Sequence, residues 1–240
     1  MEEKYSAASR YDFVCKMLQE HILGKERLAQ AVSTAQRRLS TDRLSILELG
    51  CGTGLATEQL LKRVSRVQVL AIDDDAVRCY VAQDRIRIYK SDNAVEIRVA
   101  DVMEYLEMSI QQGNFWDIVV SAFTFHNWTR TYRELVLKKI KQVLIPGGLF
   151  LNVDYYAPGG LWNAFAFIAH IKVLCFALIP CGEIKECIRW ICHTIHDFAT
   201  VRIMEEKANV HFLYRIGFNE IVVERFGPFE ALVTAVKKGQ

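Results

Sequence analysis

The stretch Ile46-Leu47-Glu48-Leu49-Gly50-Cys51-Gly52-Thr53-Gly54 decides the fold. A short apolar run ends in an acid and breaks into three alternating glycines, the form of a strand entering a tight turn before a helix. Such a turn lies at the carboxyl edge of a sheet, where open α/β folds bind ligands. Glycines there admit positive φ and let a ligand approach the backbone. Amides at the start of the following helix offer hydrogen bonds to a polar ligand group. The spacing separates ligand classes. A dinucleotide fingerprint reads G-x-G-x-x-G, whereas here the third glycine comes one residue early, position 55 is Leu, and Glu48 precedes the turn. A nicotinamide dehydrogenase is disfavoured on that ground.

Outward from the motif, β-branched runs alternate with helical stretches, the pattern of βαβ units in a parallel sheet. Strands are expected at Ser45–Leu49, Val67–Ile72, Val95–Ala100, Asp117–Ser121 and Leu149–Asp154, and helices at Leu55–Val64, Asp75–Arg87, Met103–Ile110 and Thr131–Leu144. Before them, Arg10–Leu39 reads as one or two helices. After residue 155 the sequence turns helical. Val201–Ile216 reads as a helix with Met204, Ala208 and Phe212 on one face and a stop at Gly217. Glu220–Arg225 and Glu230–Ala235 then form a closing antiparallel hairpin around Gly227-Pro228. The expected organisation is an N-terminal helical region over 1–44, a binding core over 45–154, a helical cap over 155–200, and a last helix with the hairpin over 201–240.

With Glu48, Gly50, Gly52 and Gly54 in place, the motif resembles the first motif of the class I S-adenosylmethionine-dependent methyltransferases, E/D-x-G-x-G-x-G. The resemblance implies a Rossmann-like three-layer α/β sandwich, its seven-stranded, mostly parallel sheet closed by an antiparallel hairpin, with a helical cap. Further positions agree with it. Asp73 ends the second strand roughly 20 residues beyond Gly50, the interval at which an acid meets ribose hydroxyls. Asp74 beside it reads as a secondary contact, and Asp75 as a helix N-cap. Asp101-Val102 match the family position where a carboxylate accepts from the adenine amino group and the next amide meets the ring. Asp101 also reads as a plain helix cap. Tyr11, before the sheet, stands where relatives place an aromatic over the cofactor, although the surface of an amphipathic helix explains it as well. The cofactor set implied is Tyr11, Glu48, Gly50, Cys51, Gly52, Thr53, Gly54, Asp73, Asp74, Asp101, Val102 and Ser121, and the cofactor is S-adenosyl-L-methionine.

Methyl transfer from a sulfonium asks chiefly for orientation, and an acceptor carrying a proton profits from a general base. His126, on the segment leaving the fourth strand, is the candidate base, since imidazole accepts a proton near neutral pH. It is equally a candidate for positioning the acceptor. The N/D-P-P-Y/F signature is absent from this strand end, and a formal net charge of +2 from 30 basic and 28 acidic residues creates no field for nucleic acid. A small-molecule acceptor is expected. Alternatives on the same motif are a cofactor-binding regulatory subunit and transfer of a different group, such as carboxyl or aminopropyl.

The 240-residue chain suits one elaborated α/β domain. Seven cysteines, an odd number with one inside the glycine motif, read as reduced thiols in a cytoplasm, and the first residues carry no signal-peptide core. Leu161–Cys181 is nearly apolar but interrupted by Asn163, His170 and Lys172, which suits a buried or substrate-covering helix better than a membrane span. Asn163 and His170, two helical turns apart, share a face that either meets the acceptor or satisfies itself in the core. Trp162, Phe165, Phe167 and Phe176 suggest a hydrophobic or aromatic acceptor. His193, His196 and Asp197 with Cys187 and Cys192 raise a metal site, but Ile184, Ile188, Ile191 and Ile195 already explain that helix as core, and no metal is expected. Lys25–Arg38 reads as a solvated basic face.

Overall fold

The computed structural model describes residues 2–39, 43–89, 94–199 and 203–239. Two helices lead, α1 (Glu2–Met17) and α2 (Gln19–Leu39). Strand–helix alternation follows through β1 (Leu44–Leu49), α3 (Leu55–Arg63), β2 (Val67–Asp73), α4 (Ala76–Ile86), β3 (Ala94–Val99), α5 (Val102–Gln112), β4 (Trp116–Ala122), α6 (Arg130–Val143) and β5 (Leu144–Ala157). The cap helices are α7 (Trp162–Leu178) and α8 (Ile184–Ala199), and the chain ends in β6 (Met204–Glu205), α9 (Glu206–Ile216), β7 (Phe218–Arg225) and β8 (Glu230–Lys237).

The sheet runs in the order β3-β2-β1-β4-β5-β8-β7. β1 to β5 are parallel, while β8 joins β5, and β7 joins β8, antiparallel. That is the expected sandwich with its closing hairpin. Two details depart from the sequence expectation. Met204–Glu205, placed in a helix from the sequence, is a short strand paired parallel with Tyr156–Ala157, so α9 starts only at Glu206 and the described sheet has eight strands. Positions 201 and 202 of that expected helix lie outside the described residues. β5 also begins earlier, at Leu144, because Pro146-Gly147-Gly148 is a bulge within the strand: Trp116 pairs with Leu144 and Ile118 with Leu149. Gly147, at φ 77°, supplies the left-handed residue that such a bulge favours.

The period-2 alternation of β1 builds both sides of the core. Leu44 and Ile46 face α2, α3 and α4, packing with Leu28, Val32, Leu60 and Ile86, whereas Leu47 and Leu49 face α5, α6 and α9, packing with Leu106, Leu137 and Leu213. A smaller cluster of Val14, Leu18, Leu174, Leu178 and Cys187 ties α1 to the cap. The sheet's carboxyl edge is thereby left as the open side. Among the described residues no helix is long and apolar enough to cross a membrane.

Two helix caps form as the sequence suggested, one at this edge and one at the opposite end of the sheet. Asp75 accepts from the amides of Val77 (2.8 Å) and Arg78 (3.2 Å) at the start of α4. α9 stops at Gly217, whose φ of 97° is the left-handed cap conformation.

Candidate active site

Two adjoining cavities open along the carboxyl edge. The first, about 450 Å³, is lined by the glycine turn and by Asp73, Asp74, Asp101 and Val102. The second, about 310 Å³, lies under α8 and is lined by His126, His21, Tyr155 and Trp190 among others. Tyr11, Arg78, Phe123 and Asn127 border both.

The glycines of the turn do different work. Gly50, at φ 69°, has the Thr124 side chain where a Cβ would stand, and Thr124 Oγ1 donates to Gly50 O at 3.1 Å. Gly52, at φ 52°, has nothing within 4 Å of that position and borders the open cavity. Gly54 caps α3, and a Cβ there would lie 3.0 Å from Ala82 Cβ, so it sets the packing of α3 on α4 rather than the cavity wall. Asp73 ties the turn to β2, accepting from Gly52 N at 2.8 Å through one oxygen and from Asp75 N at 3.1 Å through the other. Burial raises its pKa, and each oxygen keeps a further lone pair for a hydroxyl donor. Asp101 forms the expected cap, its Oδ1 accepting from Met103 N and Glu104 N at the start of α5, and the residue also borders the cavity.

Glu48 is buried under the turn and accepts from Thr57 Oγ1 at 2.7 Å. Desolvation lifts its pKa to about 7. The Cys51 thiol borders the cavity, and its hydrogen bond with Cys79, together with burial, holds its pKa well above the usual thiol range, so it stays protonated and is no nucleophile. Ser121 does not reach either cavity: it is fully buried, its Oγ donating to Leu49 O at 3.0 Å across the β1–β4 pair. Ala122, Phe123 and Thr124 hold that wall instead.

Thr53 and Tyr11 belong to a latch between α1 and the turn. Thr53 Oγ1 donates to Asp12, Arg85 pairs with the same carboxylate, and Arg85 Nε donates to Thr53 O at 2.8 Å. Tyr11, one residue from Asp12, stacks on Trp190 of α8 with ring centroids 6.1 Å apart and has the Arg78 guanidinium 5.7 Å from its ring centroid.

His126 follows β4 on a short 3₁₀ turn and borders the second cavity. Its Nδ1 lies 2.7 Å from Asp154 Oδ1. Asp154, fully buried on β5, also accepts from Phe125 N (2.8 Å), His126 N (3.3 Å) and its neighbour Tyr155 N (2.8 Å). Three backbone amides donate to this carboxylate, which has no hydrogen of its own to give in that arrangement, so the tautomer that fits has Nδ1–H donating to Oδ1 and Nε2 left as the acceptor nitrogen. Nearby, His21 Nε2 lies 2.7 Å from Tyr155 Oη and its ring stacks on Phe123 at 4.0 Å. Burial drives the His21 pKa well down, keeping it neutral. Phe123 itself has φ 55°, a left-handed backbone unusual for an aromatic residue, on the wall shared by both cavities.

Two expectations about the helical parts, those for the cap aromatics and for Lys25, are corrected, and the alternatives left open for Asn163 and His170 separate. Trp162, Phe165 and Phe176 are 70%, 65% and 79% exposed and line neither cavity, so they say nothing about the acceptor. Asn163 accepts from Gly159 N at 2.8 Å and serves the start of α7, whereas His170 does border the second cavity, its Nδ1 3.2 Å from Glu230 Oε1. Lys25, read as part of a solvated face, is 8% exposed and lines the first cavity. On α8, His193 pairs with Asp197 at 2.8 Å; among the described residues no three His, Cys, Asp or Glu side chains gather as a metal site. Asp154, Lys25 and Arg78 were missed from the sequence; each is a charged residue that meets a ring far along the chain, those of His126, Phe123 and Tyr11 respectively.

A family model describing a methyltransferase domain matches residues 46–148. The carboxy-S-adenosyl-L-methionine synthase of Aliivibrio salmonicida is 27% identical over 157 residues, 64% of this chain and 62% of that protein; the chain spans between half and two thirds of the length of the curated relatives it matches. Among solved structures, an O-methyltransferase family protein from Burkholderia thailandensis aligns over 99% of this chain and 63% of its own with a TM-score of 0.65 at 13% identity. The N-methyltransferase NodS from Bradyrhizobium japonicum, in complex with S-adenosyl-L-homocysteine, aligns over 88% and 86% with a TM-score of 0.56 at 15% identity. These two likenesses speak for the fold.

Proposed function

We propose that this chain, whose residues 46–148 match a methyltransferase-domain model, is a class I S-adenosylmethionine-dependent methyltransferase that transfers a methyl group to a proton-bearing heteroatom of a small acceptor, with His126 as general base. The first cavity fits the cofactor: Gly52 leaves open space where a Cβ would stand, Asp73 presents a carboxylate, and Asp101 with Val102 closes the other end. When bound, S-adenosylmethionine supplies a methyl group already activated on a sulfonium. The protein's work is then to orient the acceptor, exclude water and accept one proton.

The His126–Asp154 pair carries the reading. Asp154 fixes the tautomer and aims the ring, and His126 Nε2 takes the acceptor's proton as the heteroatom gains its methyl, the arrangement by which a carboxylate prepares a neutral imidazole as base. Tyr155 lies edge-on to His126 at 4.9 Å, and its hydroxyl is hydrogen-bonded in turn to neutral His21. A volume of about 310 Å³ suits a small molecule. With a formal net charge of +2, a nucleic-acid acceptor is not proposed. Seven free cysteines support a reducing, cytoplasmic setting.

The test is a panel of phenols, carboxylic acids and amines assayed for acceptor-dependent S-adenosylhomocysteine, with His126→Asn as the control. An active acceptor whose turnover falls ~10²-fold or more in the variant supports the reading; an unchanged turnover sinks the base. A second reading, transfer of another group from the same cofactor, is favoured by the names of the carboxy-S-adenosyl-L-methionine synthase relatives. Mass spectrometry of the nucleoside product separates the two.

A further inference from the structure

The cofactor reading leaves one end of the first cavity without an assigned partner. Asp73 ends β2 and Asp101 follows β3, both on one side of β1 in the sheet order. A nucleoside held by these two acids and laid across Gly50–Gly52 has the rest of its length over β1 and β4. There the wall is Phe123 and Lys25.

Lys25 is placed there by its neighbour. A Cβ on Gly24 would lie 2.7 Å from Val153 Cγ1 and 3.3 Å from Phe123 Cζ, so α2 approaches β5 and the end of β4 only because residue 24 is glycine. The next side chain is thereby directed along the cavity wall. Lys25 Nζ donates to His21 O at 3.2 Å and stands 5.1 Å from the Phe123 ring centroid. Among the described residues it has no ion-pair partner within 4.0 Å, and the nearby carboxylate of Asp12 is engaged by Arg85 and Thr53. An ammonium has three donors; one is used. Burial lowers the Lys25 pKa, so an anion placed beside it would favour its charged form. A buried cation over an aromatic face, next to a glycine turn, is a receptor for a compact anion.

We infer that Lys25 binds the α-carboxylate of the cofactor's amino-acid end. The inference rests on the cofactor reading and assigns it a residue outside the glycine motif. With the nucleoside held at Asp73 and Asp101 and the carboxylate at Lys25, the sulfur between them is fixed from both ends beside Phe123 and Asn127, the residues that border the acceptor cavity.

The test compares two probes by titration calorimetry, S-adenosylhomocysteine and its decarboxylated analogue S-adenosyl-3-thiopropylamine, which keeps the amine and loses the carboxylate. Wild type is expected to prefer the carboxylate form about tenfold or more, the scale of a charge-assisted hydrogen bond. In Lys25→Met the preference collapses to about twofold or less while the analogue's affinity stays unchanged, which reports an intact nucleoside end. Lys25→Gln, keeping donors without charge, loses most of the preference as well. Either variant retaining a tenfold preference overturns the assignment. Failure of the wild type to bind S-adenosylhomocysteine at all overturns instead the cofactor reading beneath it.

Discussion

Replacing Asp154 by Asn isolates what the buried carboxylate contributes. Oδ1 accepts from His126 Nδ1 and Tyr155 N, and Oδ2 from Phe125 N and His126 N. An amide can keep only one acceptor oxygen. With the oxygen at the Oδ2 site, both amides of the 3₁₀ turn remain satisfied, and the new NH₂ faces His126 Nδ1 and Tyr155 N. The imidazole then flips tautomer, Nδ1 accepting and Nε2 protonated, while the Tyr155 amide is orphaned. One buried unsatisfied donor costs ~1–3 kcal/mol, a fall in Tm of roughly 2–4 °C per kcal/mol for a chain of this length. The kinetic loss is larger in kind. With Nε2 protonated there is no base, and turnover falls about 10²–10⁴-fold, while S-adenosylhomocysteine affinity stays within about twofold because Asp154 lies outside the cofactor cavity. Steady-state kinetics with an accepted substrate, scanning calorimetry and ligand titration read the three quantities. Turnover within threefold of wild type, in a variant with the expected drop in Tm, would refute the tautomer argument.

Two further outcomes follow from the glycine turn. Glu48 has a folded-state pKa of about 7 against 4.5 for the free carboxyl, so the folded protein holds a proton that the unfolded chain has lost, and this group's contribution declines as pH rises from 4.5 to 7. Glu48→Gln, which still accepts from Thr57, removes the decline and should be the more stable protein at pH 8 by on the order of 3 kcal/mol, the difference vanishing near pH 4; parallel urea-denaturation profiles from pH 4 to 8 would contradict this. Gly50→Ala combines a positive φ with a collision against Thr124, and should cost ~1–3 kcal/mol of stability and at least about tenfold in S-adenosylhomocysteine affinity, read by thermal shift and calorimetry; wild-type affinity would remove the turn from the binding site.

The parts of the molecule written in local pattern were legible. The glycine turn, the Asp75 cap and the Gly217 stop each depend on residues a few positions apart, and β1's alternation alone specifies two packed faces. The parts that depend on distant register were not. His126 was visible as a candidate base, but its partner became visible only once Ala122 was seen to pair with Val153, which sets Asp154 beside the turn that carries the histidine. Lys25 sits among polar helix residues and reads as solvent-facing until Gly24 is seen to bring that stretch onto the sheet. Met204–Glu205 follows helical periodicity, yet pairing with β5 overrides it. Trp162, Phe165 and Phe176 show the reverse error: apolar character says that a residue would gain from burial, not which surface buries it.

The hold of Asp12 on Thr53 and Arg85 makes α1 and the glycine turn two ends of one lever. Whatever free energy a ligand spends in ordering the turn is returned, in part, as firmer docking of the first helix, and by reciprocity firmer docking of that helix lends affinity to the ligand. Residues that precede the sheet by more than thirty positions are therefore thermodynamic partners of the binding event.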